Sequence, residues 1–227
     1  MTTIDITLAR EILRSRPTGD LSLEQYVMKE ASALWQIKKL GPLFRNKKVV
    51  FIGDDDHVSL MLSLFYGVTS LVIEIDKRII ANQKKWVRKL KLKNHTIIKH
   101  NIASVLNSGL ISEKYDAFYA NPPYGSKNNG FGFKVWVSRG IEALRSGGMG
   151  VIVAPISFEK EWTINNLYEV EKFLLANNCL IFEINRNVHT YHSLLKKDED
   201  LRSSNILVYY RGNAKKLISD TVENLYR

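Results

Sequence analysis

The chain has little cysteine, little proline and no long hydrophobic run. It contains one cysteine, Cys179, and five prolines among 227 residues. A single cysteine cannot form an internal disulfide bond, so the sequence is unlike a secreted disulfide-stabilised scaffold and fits a reducing compartment. No apolar stretch approaches the roughly 18 residues that a membrane-spanning helix needs, and no signal-peptide pattern is visible at the start. These absences predict a cytoplasmic protein that does not enter a membrane.

Acidic residues are also in the minority. The sequence has 33 Lys+Arg against 23 Asp+Glu, which gives a formal net charge of +10. The hydrophobic fraction of 45% is ordinary for a globular protein, and a chain of this length is by default one domain. An excess of positive charge is typical of nucleic-acid-binding proteins. Because lysines on solvent-exposed helix faces produce the same excess, the charge alone leaves both interpretations open.

Short β-rich runs alternate with helical patterns over most of the chain. The β-rich runs lie at 49–52, 71–75, 96–99, 117–120, 150–154, 179–184 and 206–210, and helical patterns lie at 58–65, 78–91, 134–145 and 166–177. Apolar strands joined by helices predict a parallel sheet that is covered on both faces. The last two strands have no clear helical pattern between them, so we expect an antiparallel pair at one edge. This outline is similar to the class I S-adenosylmethionine-dependent transferase fold: α/β, Rossmann-like, with a seven-stranded, mostly parallel sheet.

Two further helices are predicted before the first strand. One covers residues 4–14, and the other begins after Ser22, a favourable N-cap residue, and ends before Gly41 and Pro42. We therefore expect residues 1–45 to form a helical extension that packs on the core. Residues 46–227 are expected to form the Rossmann-like catalytic part of a single domain.

The loop after the first predicted strand is rich in aspartate, since Gly53 is followed by Asp54, Asp55 and Asp56. Open α/β sheets bind ligands beyond the carboxyl ends of their strands, so this loop is a candidate ligand site. Two like charges about 6 Å apart repel by roughly 2–3 kcal/mol at an effective dielectric constant near 20. The loop therefore favours a sulfonium donor that keeps its amine and has lost its carboxylate. The alternative role for these aspartates is to cap the helix that follows.

Polar residues also follow the second and third predicted strands. Glu74 lies about 20 residues after the first loop, where an acidic residue commonly binds ribose hydroxyls, and Ile75 and Asp76 follow it. Asp76 is expected on the outer side of Glu74 or as the cap of the next helix. Asn101 and Ile102 lie where proteins of this fold often bind adenine. The alternative is that Asn101 is only a turn residue.

The most specific motif follows the fourth predicted strand and consists of Asn121, Pro122, Pro123 and Tyr124. The two prolines stiffen the backbone, and the tyrosine ring offers a stacking face. Amide and carbonyl oxygens at this turn can accept hydrogen bonds from an incoming nitrogen and orient its lone pair toward a sulfonium carbon. The turn is therefore a candidate catalytic element.

Other residue types that often carry chemistry are interpreted as structural. His57, His189 and His192 do not have metal-ligand spacing with the cysteine, so no metal site is predicted. The four tryptophans, which include Trp136, occupy apolar helix positions and are interpreted as core residues.

With these residues described, the chain resembles the catalytic domain of the branched-chain polyamine synthases, the N4-bis(aminopropyl)spermidine synthase family. The likeness runs over residues 16–211, and its motifs are Phe51 to Asp56, Glu74 to Ile80, Asn121 to Tyr124, Ser138 to Leu144 and Glu183 to Tyr191. The acidic triplet is the most family-specific of them. Because only about 45 residues precede the first predicted strand, the separate N-terminal domain of the family is expected to be missing.

The resemblance implies transfer of an aminopropyl group from decarboxylated S-adenosylmethionine to a polyamine nitrogen. In that scheme Asp54, Asp55 and Asp56 hold the donor ammonium and the acceptor amine, and one of them takes the proton of the acceptor. Glu74 would bind ribose, and the turn from Asn121 to Tyr124 would cradle the attacking nitrogen. The expected partner is a small-molecule polyamine, with a homodimer as a further expectation.

The sequence departs from the family pattern at three positions. The family usually has Asp in place of Asn121 and acidic residues in place of Asn101 and Thr190. Asparagine in the first of these positions is typical of enzymes that methylate adenine N6 or cytosine N4, and such an enzyme would stack a flipped base on Tyr124. The alternative hypothesis is therefore an N-methyltransferase that uses intact S-adenosylmethionine on nucleic acid. A relative that binds nucleotide without turnover is a third hypothesis.

Overall fold

The computed structural model describes residues 4–106, 109, 111, 115–123, 130–192, 202–222 and 225. The helices are α1 (Ile6–Arg14), α2 (Glu30–Phe44), α3 (Val58–Tyr66), α4 (Lys77–Leu90), α5 (Phe131–Ala143) and α6 (Glu161–Ala176), with a short 3-10 helix at Leu21–Leu23. The strands are β1 (Lys48–Ile52), β2 (Thr69–Glu74), β3 (His95–Lys99), β4 (Tyr115–Ala120), β5 (Leu144–Pro155), β6 (Cys179–His189) and β7 (Ser203–Tyr210). Each predicted strand is present, and β5 and β6 are longer than predicted.

The described strands form one seven-stranded sheet in the order β3-β2-β1-β4-β5-β7-β6. Strands β1 to β5 are parallel, whereas β7 is antiparallel to both β5 and β6. The predicted α/β architecture is therefore confirmed, and so is the antiparallel pair at one edge. The strand order reverses between β1 and β4. The carboxyl ends of these two strands are thus the expected ligand-binding edge.

Helices cover both faces of the sheet. On one face, the inward side chains of β1 and β4 pack against α1, α2 and α3; examples are Phe51, Tyr119, Ile12, Ile37 and Leu60. On the other face, the alternate side chains of the same strands pack against α5 and α6; examples are Ile52, Phe118, Val135 and Val170. The helices that precede β1 therefore belong to the same apolar core as the sheet.

The predicted second helix was placed incorrectly at both ends. Asp20 rather than Ser22 begins the local structure, since its side chain accepts a hydrogen bond from the Ser22 amide at the start of the 3-10 helix. Helix α2 begins at Glu30, and it contains Gly41 and Pro42 instead of ending before them. Gly41 is required there because a Cβ atom would lie 2.1 Å from the Tyr66 ring. Packing of α2 on α3 therefore outweighs the helix-breaking tendency of Gly41 and Pro42.

None of the helices in the described part of the chain is long and apolar enough to cross a membrane.

Candidate active site

A cleft lies at the carboxyl ends of β1, β2 and β4, with about 380 Å³ of empty space. The loop after β1, the end of β2 and the turn after β4 line it, through Gly53, Asp54, Asp55, Glu74, Ile75, Asn121 and Pro123. The fold thus brings together residues from three of the segments that the sequence analysis selected.

Asp54 is buried and its carboxylate binds the N-terminus of α3. Its Oδ1 accepts a hydrogen bond from the Val58 amide at 2.9 Å, and its Oδ2 accepts bonds from the Ser59 amide and hydroxyl. The Gln83 side chain donates to the same Oδ2 at 2.8 Å. Burial raises the pKa of Asp54 to about 8, although the bond from Ser59 opposes the shift. Asp54 therefore has the helix-capping role that the sequence analysis gave as the alternative to ligand binding.

Asp56 is also buried, and a cation neutralises it. The Arg16 guanidinium lies 2.9 Å from Asp56 Oδ1, and both side chains are at most 5% exposed. The Met28 amide donates to the same oxygen at 2.7 Å. Burial raises the pKa of Asp56, and the Arg16 charge opposes that shift. Because Arg16 also donates to the carbonyl oxygens of Leu13 and Met28, this ion pair fixes the N-terminal segment to the loop.

Asp55 lies between these two residues and differs from both. It is partly exposed and lines the cleft, and no described residue donates a hydrogen bond to its carboxylate. Desolvation by the surrounding walls of the cleft and the charges of Asp56 and Glu74 raise its pKa well above the ordinary value. A carboxylate in this position gains most from a cation, because a cation compensates the neighbouring negative charges. Of the three aspartates, Asp55 is the one placed to bind an ammonium group.

Glu74 is the buried acid at the end of β2. Its Oε1 accepts hydrogen bonds from the Ile75 and Asp76 amides at 2.7 and 2.8 Å, and its Oε2 accepts one from the Asp54 amide at 3.1 Å. Burial raises its pKa, while these amides oppose the shift. The three amides fix the orientation of the carboxylate beside the cleft. A fixed, buried carboxylate at this position fits the predicted ribose ligand.

Asp76 caps helix α4, as one of the two predicted roles requires. Its side chain accepts a hydrogen bond from the Arg78 amide and pairs with the Arg78 guanidinium at 2.6 Å. Burial acts to raise its pKa, but the bonds from Arg78 outweigh burial and hold the pKa below the ordinary value.

Asn101 and Ile102 lie beyond the walls of the cleft in the described structure. Asn101 is exposed, and its side-chain oxygen accepts a hydrogen bond from the Ala103 amide at 3.0 Å. Ile102 is buried in the core between the sheet and α5. Asn101 is thus the turn residue of the second interpretation, and adenine binding at this position stays a prediction.

The turn after β4 is held by the side chain of Asn121. Its Nδ2 donates to Asp56 Oδ2 at 3.2 Å, and its Oδ1 accepts a hydrogen bond from the Tyr191 hydroxyl at 3.4 Å. Pro122 and Pro123, which follow it in the chain, are buried. The amide is therefore oriented, with one oxygen lone pair left for a ligand. Tyr124 lies outside the described residues.

Gly53 and Trp136 meet at the base of the cleft. Gly53 has a φ angle of +67°, and a Cβ atom there would lie 2.6 Å from the Trp136 ring. Glycine is therefore required for the backbone to pass the indole ring. Trp136 belongs to the core, as predicted, but it also lines the cleft, which the helical pattern did not reveal.

Sequence reasoning missed the segment that closes the other side of the cleft. Leu23, Glu24 and Gln25 line it, and the backbone of Glu24 is left-handed with a φ angle of 53°. Asp20 and Gln25 contact Arg78 at the start of α4, which attaches this segment to the sheet edge. The segment was predicted to be helical, so its side chains gave no signal of a cleft wall.

The N-terminal segment also pairs with the chain that leaves β6. Met28 and Tyr191 form an antiparallel bridge, and the His192 amide donates to the Val27 carbonyl at 2.8 Å. Tyr191 is therefore held where its hydroxyl reaches Asn121. The Asn121 side chain is thus held by Asp56 on one side and by Tyr191 on the other, and both residues belong to motifs that carry the family resemblance.

Comparison with known proteins identifies the family. The model of the branched-chain polyamine synthase A C-terminal domain matches residues 6–225. The chain is 29% identical over 191 residues to the N(4)-bis(aminopropyl)spermidine synthase of Methanocaldococcus jannaschii, which covers 80% of this chain and 51% of that protein. The chain spans about half the length of the curated relatives it matches.

Solved structures share the fold. The branched-chain polyamine synthase of Thermus thermophilus, in complex with N4-aminopropylspermidine and 5'-methylthioadenosine, superposes with a TM-score of 0.82 at 19% identity, over 96% of this chain and 67% of that one. An S-adenosylmethionine-dependent O-methyltransferase of Thermotoga maritima gives a TM-score of 0.60 at 14% identity, over 92% and 73% of the two chains. At these identities the likeness shows the shared fold alone. Because the family model spans nearly the whole chain, this chain belongs to the branched-chain polyamine synthase family.

Proposed function

We propose that this protein transfers an aminopropyl group from decarboxylated S-adenosylmethionine to a polyamine nitrogen. The observation that carries the proposal is the state of Asp55. It is the aspartate of the triplet that lines the cleft without a hydrogen-bond donor among the described residues. The names of the relatives support the same chemistry, since one is a bis(aminopropyl)spermidine synthase and another was solved with an aminopropylated polyamine and methylthioadenosine.

The donor is expected to lie along the ends of β1 and β2. Glu74 would accept hydrogen bonds from the ribose hydroxyls, because three backbone amides already fix its carboxylate. The aminopropyl ammonium would then lie near Asp55, on the side of the cleft that faces β4. Intact S-adenosylmethionine carries a carboxylate on the same arm, which Asp55 and Glu74 would repel. Loss of that carboxylate therefore converts a repulsion into an ion pair.

The acceptor is expected to approach from the turn after β4. The side-chain oxygen of Asn121 would accept a hydrogen bond from the attacking nitrogen and direct its lone pair at the carbon next to sulfur. The new bond joins nitrogen to that carbon, the carbon–sulfur bond breaks, and its electron pair stays on sulfur to give methylthioadenosine. The product ammonium then loses a proton. Asp55 would accept it, because it is the carboxylate of the triplet that lines the cleft without a hydrogen-bond donor among the described residues.

A product assay tests the proposal directly. The purified protein is incubated with spermidine and either decarboxylated or intact S-adenosylmethionine, and products are identified by mass spectrometry. We expect methylthioadenosine and a polyamine heavier by one aminopropyl unit with the decarboxylated donor only. Asp116→Asn, a change near the start of β4 and away from the cleft, is the control that should leave the product unchanged. A methylated product from the intact donor would contradict the proposal.

A second candidate function is N-methylation of nucleic acid, which two observations favour. The residue at the turn after β4 is a neutral asparagine rather than an acid. A second cleft beyond β5 is lined by Lys160, Arg186 and Arg202, and Phe158 beside them is 78% exposed. Among the described residues that line it, Glu159 is the one acid. Cations beside an exposed ring suit phosphates and an unstacked base. Methyladenine or methylcytosine in oligonucleotides incubated with the intact donor would establish this activity instead.

A further inference from the structure

A buried chain of polar side chains lies beneath the loop after β1. Gln83, on α4, is fully buried, and its Nε2 lies 3.0 Å from the Asp54 carbonyl oxygen and 2.8 Å from Asp54 Oδ2. Its Oε1 lies 3.2 Å from His95 Nε2. A buried side chain with this many polar contacts is held in one orientation, because an unpaired amide would cost free energy.

The Asp54 carbonyl oxygen determines which way the Gln83 amide faces, and the amide in turn determines the tautomer of His95. A carbonyl oxygen only accepts, so the Gln83 atom next to Asp54 must be the donor nitrogen, and its oxygen must accept from His95 Nε2–H. Burial lowers the pKa of His95 to about 3, so the ring is neutral and carries that single proton. His95 Nδ1 then accepts from the Ser70 hydroxyl at 2.5 Å, and Ser70 lies 2.9 Å from Ser63. Gln83, His95 and Ser70 therefore each have one consistent assignment of donor and acceptor atoms.

Gln83 and Glu74 together fix the peptide groups on the two sides of Asp54. The peptide after it is held at its carbonyl oxygen by Gln83 and by the His57 amide at 3.2 Å. The peptide before it is held at its N–H by Glu74 Oε2. Asp55 follows directly, so the direction of its side chain depends on the orientation of these two peptide groups.

We infer that Gln83 is a positioning residue that aims Asp55 at the cationic end of the ligand. This inference rests on the proposed function. The bond from Gln83 to the Asp54 carbonyl keeps the Asp55 side chain preorganised in the cleft, and preorganised charge costs no reordering when a ligand binds. The adenosine part of the donor does not depend on this arrangement. Loss of Gln83 should therefore weaken binding of the ammonium arm and leave binding of methylthioadenosine unchanged.

The test compares two buried glutamines. Gln83→Met removes the contact with Asp54, and Gln36→Met removes the paired bonds between Gln36 and Asn205, on α2 and β7. Calorimetry gives the Kd of methylthioadenosine and of decarboxylated S-adenosylmethionine for each protein. We expect the preference for the charged ligand to fall about tenfold in Gln83→Met and to stay at the wild-type value in Gln36→Met, while both variants unfold at lower temperature. Equal preferences in the two variants would overturn the inference.

Gln83→Glu supplies a result that a merely structural role would not give. A protonated glutamate in place of Gln83 donates to Asp54 as the amide does, whereas an ionised glutamate repels it. The loss of preference relative to wild type should therefore grow as the pH rises, and a loss that is independent of pH would contradict the positioning role. If the wild-type protein binds intact and not decarboxylated S-adenosylmethionine, the proposed function fails. The Kd of methylthioadenosine is then compared with that of intact S-adenosylmethionine. If the ratio of these two Kd values is the same in Gln83→Met as in the wild type, the inference is overturned separately.

Discussion

The loop after β1 and the turn after β4 face each other across the cleft but are held in different ways. Hydrogen bonds and an ion pair fix the loop, because Asp54 binds α3 and Gln83 while Asp56 binds Arg16. The turn contains two buried prolines and one neutral amide, Asn121. The comparison teaches that the proposed donor side holds a carboxylate, Asp55, without a hydrogen-bond donor among the described residues on a rigid support, whereas the proposed acceptor side presents a neutral amide.

Removal of that carboxylate should have the largest effect on ligand binding. In Asp55→Asn we expect the affinity for decarboxylated S-adenosylmethionine to fall by about 10- to 100-fold, the value of a charge-assisted hydrogen bond. Calorimetry should show an unchanged affinity for methylthioadenosine, which has no ammonium group. An equal loss for both ligands would mean that Asp55 supports the fold of the cleft instead of the charge. Asp116→Asn, near the start of β4, is the control of the same chemistry.

The support of the loop should be visible as stability. Asp54→Ala removes a helix cap and leaves the Gln83 and Ser59 donors unpaired in the interior, so the free energy of unfolding should fall by about 2–3 kcal/mol. Asp76→Ala removes the cap of α4, whose partner Arg78 is exposed to water, and should cost about 1 kcal/mol. Urea unfolding measures both values. If the two variants lost the same free energy of unfolding, the buried contacts of Asp54 would add nothing to its role as a helix cap.

Acid should weaken the loop side through its buried histidines. Burial lowers the pKa of His57 to about 4 and that of His95 to about 3. Because the unfolded chain binds these protons near pH 6.5, their contribution is complete above that pH and is lost as the pH falls toward the folded values. Replacement of His95 by Asn should therefore reduce the loss of stability between pH 6 and pH 5 by about 1 kcal/mol. Denaturant titrations at the two pH values measure this loss. If the variant lost as much unfolding free energy between pH 6 and pH 5 as the wild type, the expectation would be contradicted.

The smallest effect is expected on the acceptor side. Asn121→Asp restores the acid that the family usually has and adds a charge beside the acceptor, so the KM for spermidine should fall by about three- to fivefold at pH 8. At pH 6 the gain should disappear, because the new carboxylate shares a proton with Asp56 at close range. Steady-state kinetics at both pH values measure the difference. An increased KM at pH 8 would show that the donor bond from Asn121 to Asp56 matters more than the charge.

Much of the fold was predictable because the strands of a parallel sheet are continuous apolar runs. The runs at 49–52 and 117–120 lie within β1 and β4, and the order of helices and strands followed from periodicity. The start of α2 was not predictable from capping preferences. Asp20, not Ser22, begins the local structure, and contacts of α2 with α3 allow the helix to pass through Gly41 and Pro42.

The site was predictable in outline and not in its division of roles. The positions after β1, β2 and β4 follow from the topology of open α/β sheets, and the acid triplet predicts the side on which the donor would bind. The sequence could not tell which aspartate faces the cleft, because that depends on long-range partners. Arg16 lies 40 residues before Asp56, and Gln83 lies 29 residues after Asp54.

The ion pair between Arg16 and Asp56 ties the chain before β1 to the chemistry of the cleft. A version of this protein that began at β1 would lose the helices that cover one face of the sheet, together with the cation and the amide that bind Asp56. Removal of one partner of a buried ion pair typically costs several kcal/mol. Grafting this Rossmann core onto a different leading segment would meet the same obstacle unless the graft supplied a guanidinium group and a free amide in the places of Arg16 and Met28. The part of this chain that must be kept together to form the cleft is therefore larger than the sheet and its crossover helices.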